Sequence, residues 1–349
     1  MSPAEEEFLT LLKELLSVSC PSGREERLAA IVRRHLDQLG YAHETDGAGN
    51  VLVRMEGRSS SQAPIVFAAH MDEIGMVVTE VQDDGTLCVD RSGGLLPHKI
   101  GERPVEVLGD SGSVTGVLSY GTGHVAAADK AITWNQVRVL TGLSKVQLKA
   151  KGIRTGSTAV PITEGRGPLV FGDPAAPMIG AWTMDDRAGV ALLLQLLRRM
   201  KEQQLRPPVS AIFAFTIHEE GGCHGAKVLA HREKPSIFIA VDGCPWMPGI
   251  GVTVSDQPTA FTKDLLAHYD QRLIRTFAEA ARNAGTELQT AVLSAAYSDA
   301  SAVYNTGGAP RVGIIGHTRF NSHGFEVARL GVFPRVLDTL VALIKMSDW

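Results

Sequence analysis

The chain has 349 residues, of which 44% are hydrophobic and 21% charged, a composition typical of a globular protein with a large buried core. Its formal net charge of −4 offers no basic surface for nucleic acid or for an acidic membrane. The N-terminal residues are acidic, and no run reaches the roughly 18 apolar residues of a membrane span, so we expect a cytoplasmic protein.

The N-terminal part predicts two helices followed by two strands. Apolar residues recur at helical spacing over 4–18, and "SGRE" at 22–25 predicts a capping box before a second helix that ends at Gly40. The runs "NVLVRM" and "PIVFAA" then predict strands.

Between residues 75 and 168 the pattern changes to short β-like runs separated by Gly-rich turns. These runs are "GMVVTEV", "RPVEVLG", "GSVTGVLS" and "KVQLKA". Such a pattern predicts a small all-β unit inserted into a larger domain. We therefore divide the chain into a discontinuous domain of residues 1–74 and 169–349 and an inserted domain of residues 75–168.

The second half of the chain alternates long helices and strands. Helices are predicted at 187–202, 223–231, 268–284, 299–305 and 333–346, and strands at 209–217, 236–241, 288–293 and 311–315. Such alternation predicts an α/β fold, with a mostly parallel sheet flanked by helices on both faces.

Ionisable side chains follow the predicted strands at the edge where α/β proteins bind ligands. They are His70, Asp72, His218, Glu219, Glu220, Asp242, His317 and His323, with the pair Asp185-Asp186 before the helix at 187.

Each of these residues has an ordinary structural explanation when it is taken alone. Asp186 is typical of a helix cap, Asp242 of a turn, Glu219-Glu220 of a solvated turn and His70 of a hydrogen-bonded core histidine. Together, however, so many carboxylates at one edge would repel one another and lose hydration unless cations held them. Histidine with carboxylate is a ligand set suited to Zn²⁺, Co²⁺ or Mn²⁺, so two divalent metal ions are expected.

Four motifs in this order carry a family resemblance: "AHMDEIG", "MDDRAG", "EEGGCHGA" and "VDG". With the β insertion between the first and second motifs, nearly the whole chain resembles the co-catalytic metallo-aminopeptidase family of glutamyl aminopeptidases and tetrahedral (TET) aminopeptidases. The resemblance implies a zinc-peptidase-like catalytic domain, and a PDZ-like or barrel insertion that serves dimerisation. Family members assemble as dimers, and some of these build a hollow dodecamer.

The resemblance also implies a role for each site residue. His70 and Glu220 would bind one metal, Asp242 and a C-terminal histidine the other, and Asp185 would bridge both. Asp72 would orient His70, while Glu219 would be the general base that acts on a bridging hydroxide or water. The Asp185-Asp186 peptide bond is expected to be cis.

The last ligand departs from the family pattern "RYxH". In "TRFNSHGFE", Ser322 stands three residues after the arginine and His323 one position later. Serine is a poor zinc ligand, so we expect His323 to bind the metal, with His317 as the alternative.

We therefore expect a metal-dependent aminopeptidase that acts on short peptides through a dinuclear centre. One alternative is a related amidohydrolase, either a deacylase or a carboxypeptidase, because related folds carry similar ligands. The other is a catalytically silent oligomeric scaffold. The sequence leaves open the preferred side chain, the metal and the role of the unusual segment 120–142, which would cover the site or alter an interface.

Overall fold

The computed structural model describes residues 1–59, 63–121, 131–347 and 349. Over these residues the helices are α1 Pro3–Leu16, α2 Glu26–Leu39, α3 Pro97–Ile100, α4 Lys145–Ala150, α5 Met184–Glu202, α6 His224–Glu233, α7 Gln271–Asn283, α8 Asp299–Asn305 and α9 Val332–Lys345. The strands are β1 His43–Thr45, β2 Val51–Met55, β3 Ile65–His70, β4 Gly75–Val81, β5 Leu87–Ser92, β6 Pro104–Leu108, β7 Ser113–Ser119, β8 Arg138–Leu140, β9 Thr158–Pro161, β10 Leu169–Phe171, β11 Met178–Trp182, β12 Ala211–Thr216, β13 Ile237–Val241, β14 Cys244–Pro245, β15 Thr259–Lys263, β16 Gln289–Val292, β17 Val312–Gly316, β18 Thr318–Arg319 and β19 Phe325–Arg329. In this described part of the chain, no helix is long and apolar enough to cross a membrane.

An eight-stranded sheet carries the α/β part of the molecule, in the order β1-β2-β12-β3-β13-β17-β15-β16. Its four central strands, β12, β3, β13 and β17, are parallel. Antiparallel pairing occurs on both sides of this centre, between β2 and β12 and between β15 and β17. The sheet is therefore mixed, and the predicted parallel arrangement holds for its centre.

Helices cover both faces of this sheet, as the alternating pattern predicted. On one face, α1, α2, α5, α7 and α9 contribute to a core cluster that includes Phe8, Leu193 and Phe333. The rings of Phe8 and Phe333 stack with their centroids 4.0 Å apart. On the other face, α6 and α8 bury Leu229 and Val303. Strands β3, β12 and β13 are buried along their whole length, which explains their continuous apolar sequences.

A closed six-stranded barrel, β4-β5-β8-β7-β6-β9, lies within the region predicted to be all-β. Its interior is filled by its own core cluster, which includes Met76, Val89 and Val107. The run "KVQLKA" was predicted as β-like and is instead helix α4. Ser144 and Gln147 form a capping box at its start, and this local signal outweighs the weak alternation of apolar residues.

The segment 120–142 is only partly described. Residues 122–130 lie outside the described residues, so its predicted role over the site or at an interface stays a prediction. The remainder contains a short 3₁₀-helix, Trp134–Gln136, and the barrel strand β8.

The start of α2 differs from its prediction in a way that concerns the site. Gly40 does end this helix, with φ of 70°. However, the predicted capping box at 22–25 is wrong, because the helix follows Glu25 and its cap has no side-chain hydrogen bond. The Ser22 hydroxyl instead donates to Asp72 Oδ2 over 2.6 Å.

Candidate metal centre

Three central strands of the sheet end at one edge, and each delivers ionisable residues there. His70 is the last residue of β3 and is in register with Thr216, the last residue of β12. Glu219 and Glu220 follow β12 directly, and Asp242 follows β13. Parallel strands in register bring these side chains to a common edge, which is where α/β proteins place their sites.

His70 lies among carboxylates and is itself buried. Its Nε2 atom is 3.1 Å from Asp185 Oδ1 and 4.0 Å from Glu219 Oε2. Its Nδ1 atom is 3.1 Å from the backbone carbonyl oxygen of Asp72 and 3.5 Å from Oδ1 of the same residue. Burial alone would lower the pKa of His70, but Glu219, Asp185 and Asp72 raise it well above its usual value. A proton on Nδ1 leaves Nε2 free to bind a metal.

Asp72 holds the turn that carries the two glutamates. Its Oδ1 accepts from the backbone N–H of Glu219 over 2.9 Å, and its Oδ2 from that of Glu220 over 3.1 Å. Ser22 donates to the same Oδ2. Although burial opposes ionisation, His70 and these hydrogen bonds lower the pKa of Asp72. The Asp72 carboxylate therefore anchors the backbone of Glu219 and Glu220, and Asp72 also contacts the ring of His70.

Asp185 lies between the two histidines that the sequence favoured. Its Oδ1 faces His70, and its Oδ2 is 3.7 Å from His323 Nε2. Its backbone N–H donates to Glu326 Oε2 over 2.8 Å. The Asp185-Asp186 peptide bond is cis, as expected. A carboxylate that directs one oxygen toward each histidine has the arrangement of a bridging ligand.

His323, rather than Ser322, reaches the carboxylates. The His323 Nε2 atom lies 3.5 Å from Glu220 Oε1, while the Ser322 hydroxyl lies 3.4 Å from Nη2 of Arg319. His323 has a positive φ of 59° and packs against Gly94, where an added Cβ would lie 2.4 Å from the imidazole Nδ1. Residue 94 must therefore be small for the ring to lie here.

His317 is not brought into the group of carboxylates. It is buried, and its ring centroid lies 4.8 Å from that of Phe333. Burial lowers the pKa of His317 to about 3, so the ring is neutral. Neither His317 nor His323 belongs to the tight donor groups found among the described residues, so what favours His323 is its approach to Glu220 and Asp185.

Donor atoms gather in three groups over the described residues, each within 4.8 Å: His70, Asp185 and Glu220; His70, Asp186 and Asp242; Glu219, Cys223 and Asp299. Burial raises the pKa of Glu219 and Asp186 well above the usual range and that of Glu220 to about 7. In the described structure, Asp186 Oδ2 is buried without a hydrogen-bond partner.

So concentrated a set of buried carboxylates is costly without a compensating positive charge. The nitrogen and oxygen donors match the preferences of Zn²⁺ and related ions. The residues present therefore fit divalent cations.

Sequence reasoning missed the polar residues that support this centre. Arg319 forms an ion pair with Asp185, and its Nε donates to Glu326 Oε1 over 2.8 Å. Ser298 donates to Asp242 Oδ2 over 2.8 Å. Arg319 belongs to the stretch "TRFNSHGFE", in which His323 is displaced by one position from the family pattern. Its contact with Glu326, however, forms only because β18 and β19 lie together. Asp299 also lies beside Glu219, and no motif indicated this.

The donor groups open onto a cleft of about 230 Å³, somewhat smaller than the roughly 300–1,000 Å³ of typical small-molecule sites. Beside the ionisable residues, the cleft is lined by Gly94, Gly243, Pro245, Phe261, Ala295, Ala296, Tyr297, Ser298 and Ser322.

Comparison with known proteins finds relatives among the aminopeptidases. The family model described as M42 glutamyl aminopeptidase matches residues 49–335. The glutamyl aminopeptidase of Lactococcus lactis subsp. cremoris is 27% identical over 246 residues, which cover 68% of this chain and 67% of the relative.

Solved structures extend the similarity over nearly the whole chain. An aminopeptidase from the archaeon Desulfurococcus kamchatkensis is 26% identical with a TM-score of 0.87, over 99% of this chain and 96% of that one. The TET1 peptidase of Pyrococcus horikoshii, which assembles into a tetrahedron or a large octahedral shell, has the same fold, with a TM-score of 0.84 and 24% identity over 97% of this chain and 99% of that one. Because the family model spans most of the sequence, the chain belongs to the M42 glutamyl aminopeptidase family.

Proposed function

We propose that this metal-dependent aminopeptidase removes N-terminal residues from short peptides at a dinuclear centre. Family membership supports the aminopeptidase class. The observation that carries the dinuclear centre is the position of Asp185, whose two oxygens lie 3.1 Å from His70 and 3.7 Å from His323.

The five proposed ligands are those that the family resemblance implied, but they are grouped differently on the two ions, since Glu220 was expected beside His70 and Asp242 beside the C-terminal histidine. Asp185 would be shared between two ions, and His70, Asp242, Glu220 and His323 would complete the two sites. Glu220 lies within reach of both histidines, but its 3.5 Å approach to His323 favours placing these two residues on one ion. His70 and Asp242 would then hold the other. Zn²⁺ is the first choice of metal, and Co²⁺ or Mn²⁺ also suits the mixed nitrogen and oxygen set.

Glu219 is the proposed general base. Bound divalent cations would polarise the scissile carbonyl and stabilise negative charge on its oxygen. Glu219 lies beside the proposed ligands, with its Oε2 atom 4.0 Å from His70 Nε2, so its carboxylate would be within reach of a water held there and could take its proton. The hydrogen bond from its backbone N–H to Asp72 anchors the turn that carries this side chain.

Self-association is the second part of the proposal. The closed barrel, residues 75–168 in the proposed domain division, would serve as the dimerisation domain, and dimers would assemble further as far as a dodecamer. The shells formed by the Pyrococcus horikoshii relative support this part of the proposal. We place the protein in the cytoplasm, acting on peptides.

Hydrolysis of aminoacyl-anilides with a free amine, compared with their N-acetylated twins, tests the proposed activity. Protein stripped of metal is reloaded with Zn²⁺, Co²⁺ or Mn²⁺ and assayed on both series. Metal-dependent cleavage confined to the free amines is expected. Cleavage of the acetylated twins would indicate a deacylase or another amidohydrolase, and inactivity on both series with metal bound would favour the scaffold alternative.

A further inference from the structure

The cleft beside the donor groups has an apolar wall. Pro245, Phe261, Ala295, Ala296 and Tyr297 line it. Phe261 is 3% exposed and Tyr297 43% exposed, so the wall runs from a buried base to an open rim. The ring of Phe261 packs edge-on against Tyr269, with the centroids 6.1 Å apart, which supports the base of the wall.

The charged residues that line this cleft already have partners or proposed roles. Asp185, Glu220, Asp242 and His323 are proposed ligands, and Glu219 is the proposed base. The remaining charged residue is Arg319, which is paired with Asp185 and Glu326. Within the described residues, each charged group that lines the cleft is therefore in an ion pair or is a proposed ligand or base, although Nη1 of Arg319 is buried without a hydrogen-bond partner.

The hydroxyl groups of the cleft offer little compensation. Ser298 donates to Asp242 and Ser322 lies near Arg319. Tyr297 is 43% exposed, and partial burial together with the nearby charges of Glu219 and Glu220 raises the pKa of its hydroxyl. A charged side chain placed against the apolar wall would lose hydration without gaining an ion pair. An apolar side chain there gains from the area it buries.

We propose that this wall receives the side chain of the residue that is removed, and that the enzyme prefers neutral apolar N-terminal residues such as leucine, methionine and phenylalanine. This inference rests on the proposed aminopeptidase function. This preference would differ from the one named for the glutamyl aminopeptidase relative, because Arg319, the arginine that lines the cleft, is already paired with Asp185 and Glu326.

Kinetics on the four para-nitroanilides of leucine, phenylalanine, glutamate and lysine test the preference. The metal-reloaded enzyme is expected to show kcat/KM values at least tenfold higher for leucine and phenylalanine than for glutamate and lysine. A value for glutamate or lysine equal to that for leucine would overturn the inference while leaving the aminopeptidase function intact.

Binding of free amino acids tests the side-chain preference separately from the proposed activity. Calorimetric titration of the metal-loaded protein with L-leucine, L-glutamate and L-lysine does not require turnover. Tighter binding of leucine would support the apolar wall even if no anilide were cleaved, in which case only the proposed activity would fail. Tighter binding of glutamate or lysine would contradict the inference.

A charge introduced into the wall provides the matched test. Ala296 is half-buried in the cleft, so Ala296→Glu is expected to raise the ratio of kcat/KM for lysine to that for leucine at least tenfold. Ala296→Gln has the same size without the charge and should leave the ratio within threefold of wild type. An unchanged ratio in Ala296→Glu would show that the removed side chain lies elsewhere.

Discussion

Glu219 is the residue on which the proposed chemistry depends most directly. Replacing Glu219 with Gln removes the proton acceptor but preserves the size of the side chain and the backbone bond to Asp72. Because general-base catalysis typically contributes about 10²- to 10⁴-fold, we expect kcat to fall by at least about a hundredfold. Metal content should stay at the wild-type level, as measured by elemental analysis.

Glu220→Gln is the control for this prediction. It alters the neighbouring carboxylate, which lies 3.5 Å from His323 and is a proposed ligand, so metal should be lost together with activity. If Glu219→Gln kept kcat within tenfold of wild type, the assignment of Glu219 as general base would be wrong.

The shifted histidine yields a second comparison between adjacent residues. His323→Ala is expected to remove one of two bound ions, since this imidazole is the nitrogen donor nearest to Glu220 and Asp185 Oδ2. Ser322→Ala should retain both ions, because its hydroxyl lies near Arg319. Metal-to-protein ratios after dialysis measure the difference, and the reverse pattern would identify position 322 as the ligand.

At the scale of residues, the sequence predicted which side chains meet at the site. It did not predict the ion pairs and hydrogen bonds that hold them in place. His70, Glu219 and Asp242 stand directly after apolar strands, and the sheet geometry then brings them together. The ion pair of Arg319 with Asp185 joins residues 134 positions apart, so no local pattern contains it. Likewise, Asp72 can accept a hydrogen bond from the backbone of Glu219 only because β3 and β12 are neighbours in the sheet.

At the scale of elements, periodicity predicted the long helices well, and of two short helices it predicted α8 but not α4. Helix α5 and the last helix, α9, were both predicted, because an apolar stripe is repeated over several turns. The six residues of α4 contain too few turns for periodicity to distinguish helix from strand. The start of α2 was misassigned because Ser22 has a tertiary partner, Asp72, that competes with capping.

A buried ion cluster joins α5 to the segment between β3 and β4 and to the segment between β9 and β10. Glu73, just after β3, accepts from Arg166 over 2.9 Å and from Arg187 of α5 over 3.2 Å, and all three side chains are buried. Glu73 also accepts from the backbone N–H of Cys20 over 2.7 Å. Removing the carboxylate leaves two buried cations without their anion, so Glu73→Ala should lower the free energy of unfolding by about 3–5 kcal/mol.

Urea unfolding followed by circular dichroism measures this loss. Lys145→Ala is the matched control, because it breaks a surface ion pair of 2.9 Å with the exposed Asp83 and should change stability by no measurable amount. If Glu73→Ala lowered the free energy of unfolding no more than Lys145→Ala does, the buried cluster would not stabilise the fold as predicted.

At the scale of the whole molecule, the outer face of the barrel presents a candidate self-association surface. Val117 of β7 and Leu140 of β8 are directly paired across neighbouring strands, and they are 48% and 49% exposed. Two large apolar side chains facing solvent side by side are typical of a surface that another molecule covers. Under the proposed dimerisation through the barrel, the molecule that covers these side chains is a second copy of this chain.

The double variant Val117→Lys with Leu140→Lys is therefore expected to lower the molar mass measured by light scattering, because like charges then face each other at the contact. Val292→Lys is the control, since Val292 is also 49% exposed but lies on β16 of the main sheet. It should keep the wild-type mass. A wild-type protein that remains monomeric at every concentration would refute self-association, whereas a double variant with wild-type mass would move the interface away from this face of the barrel.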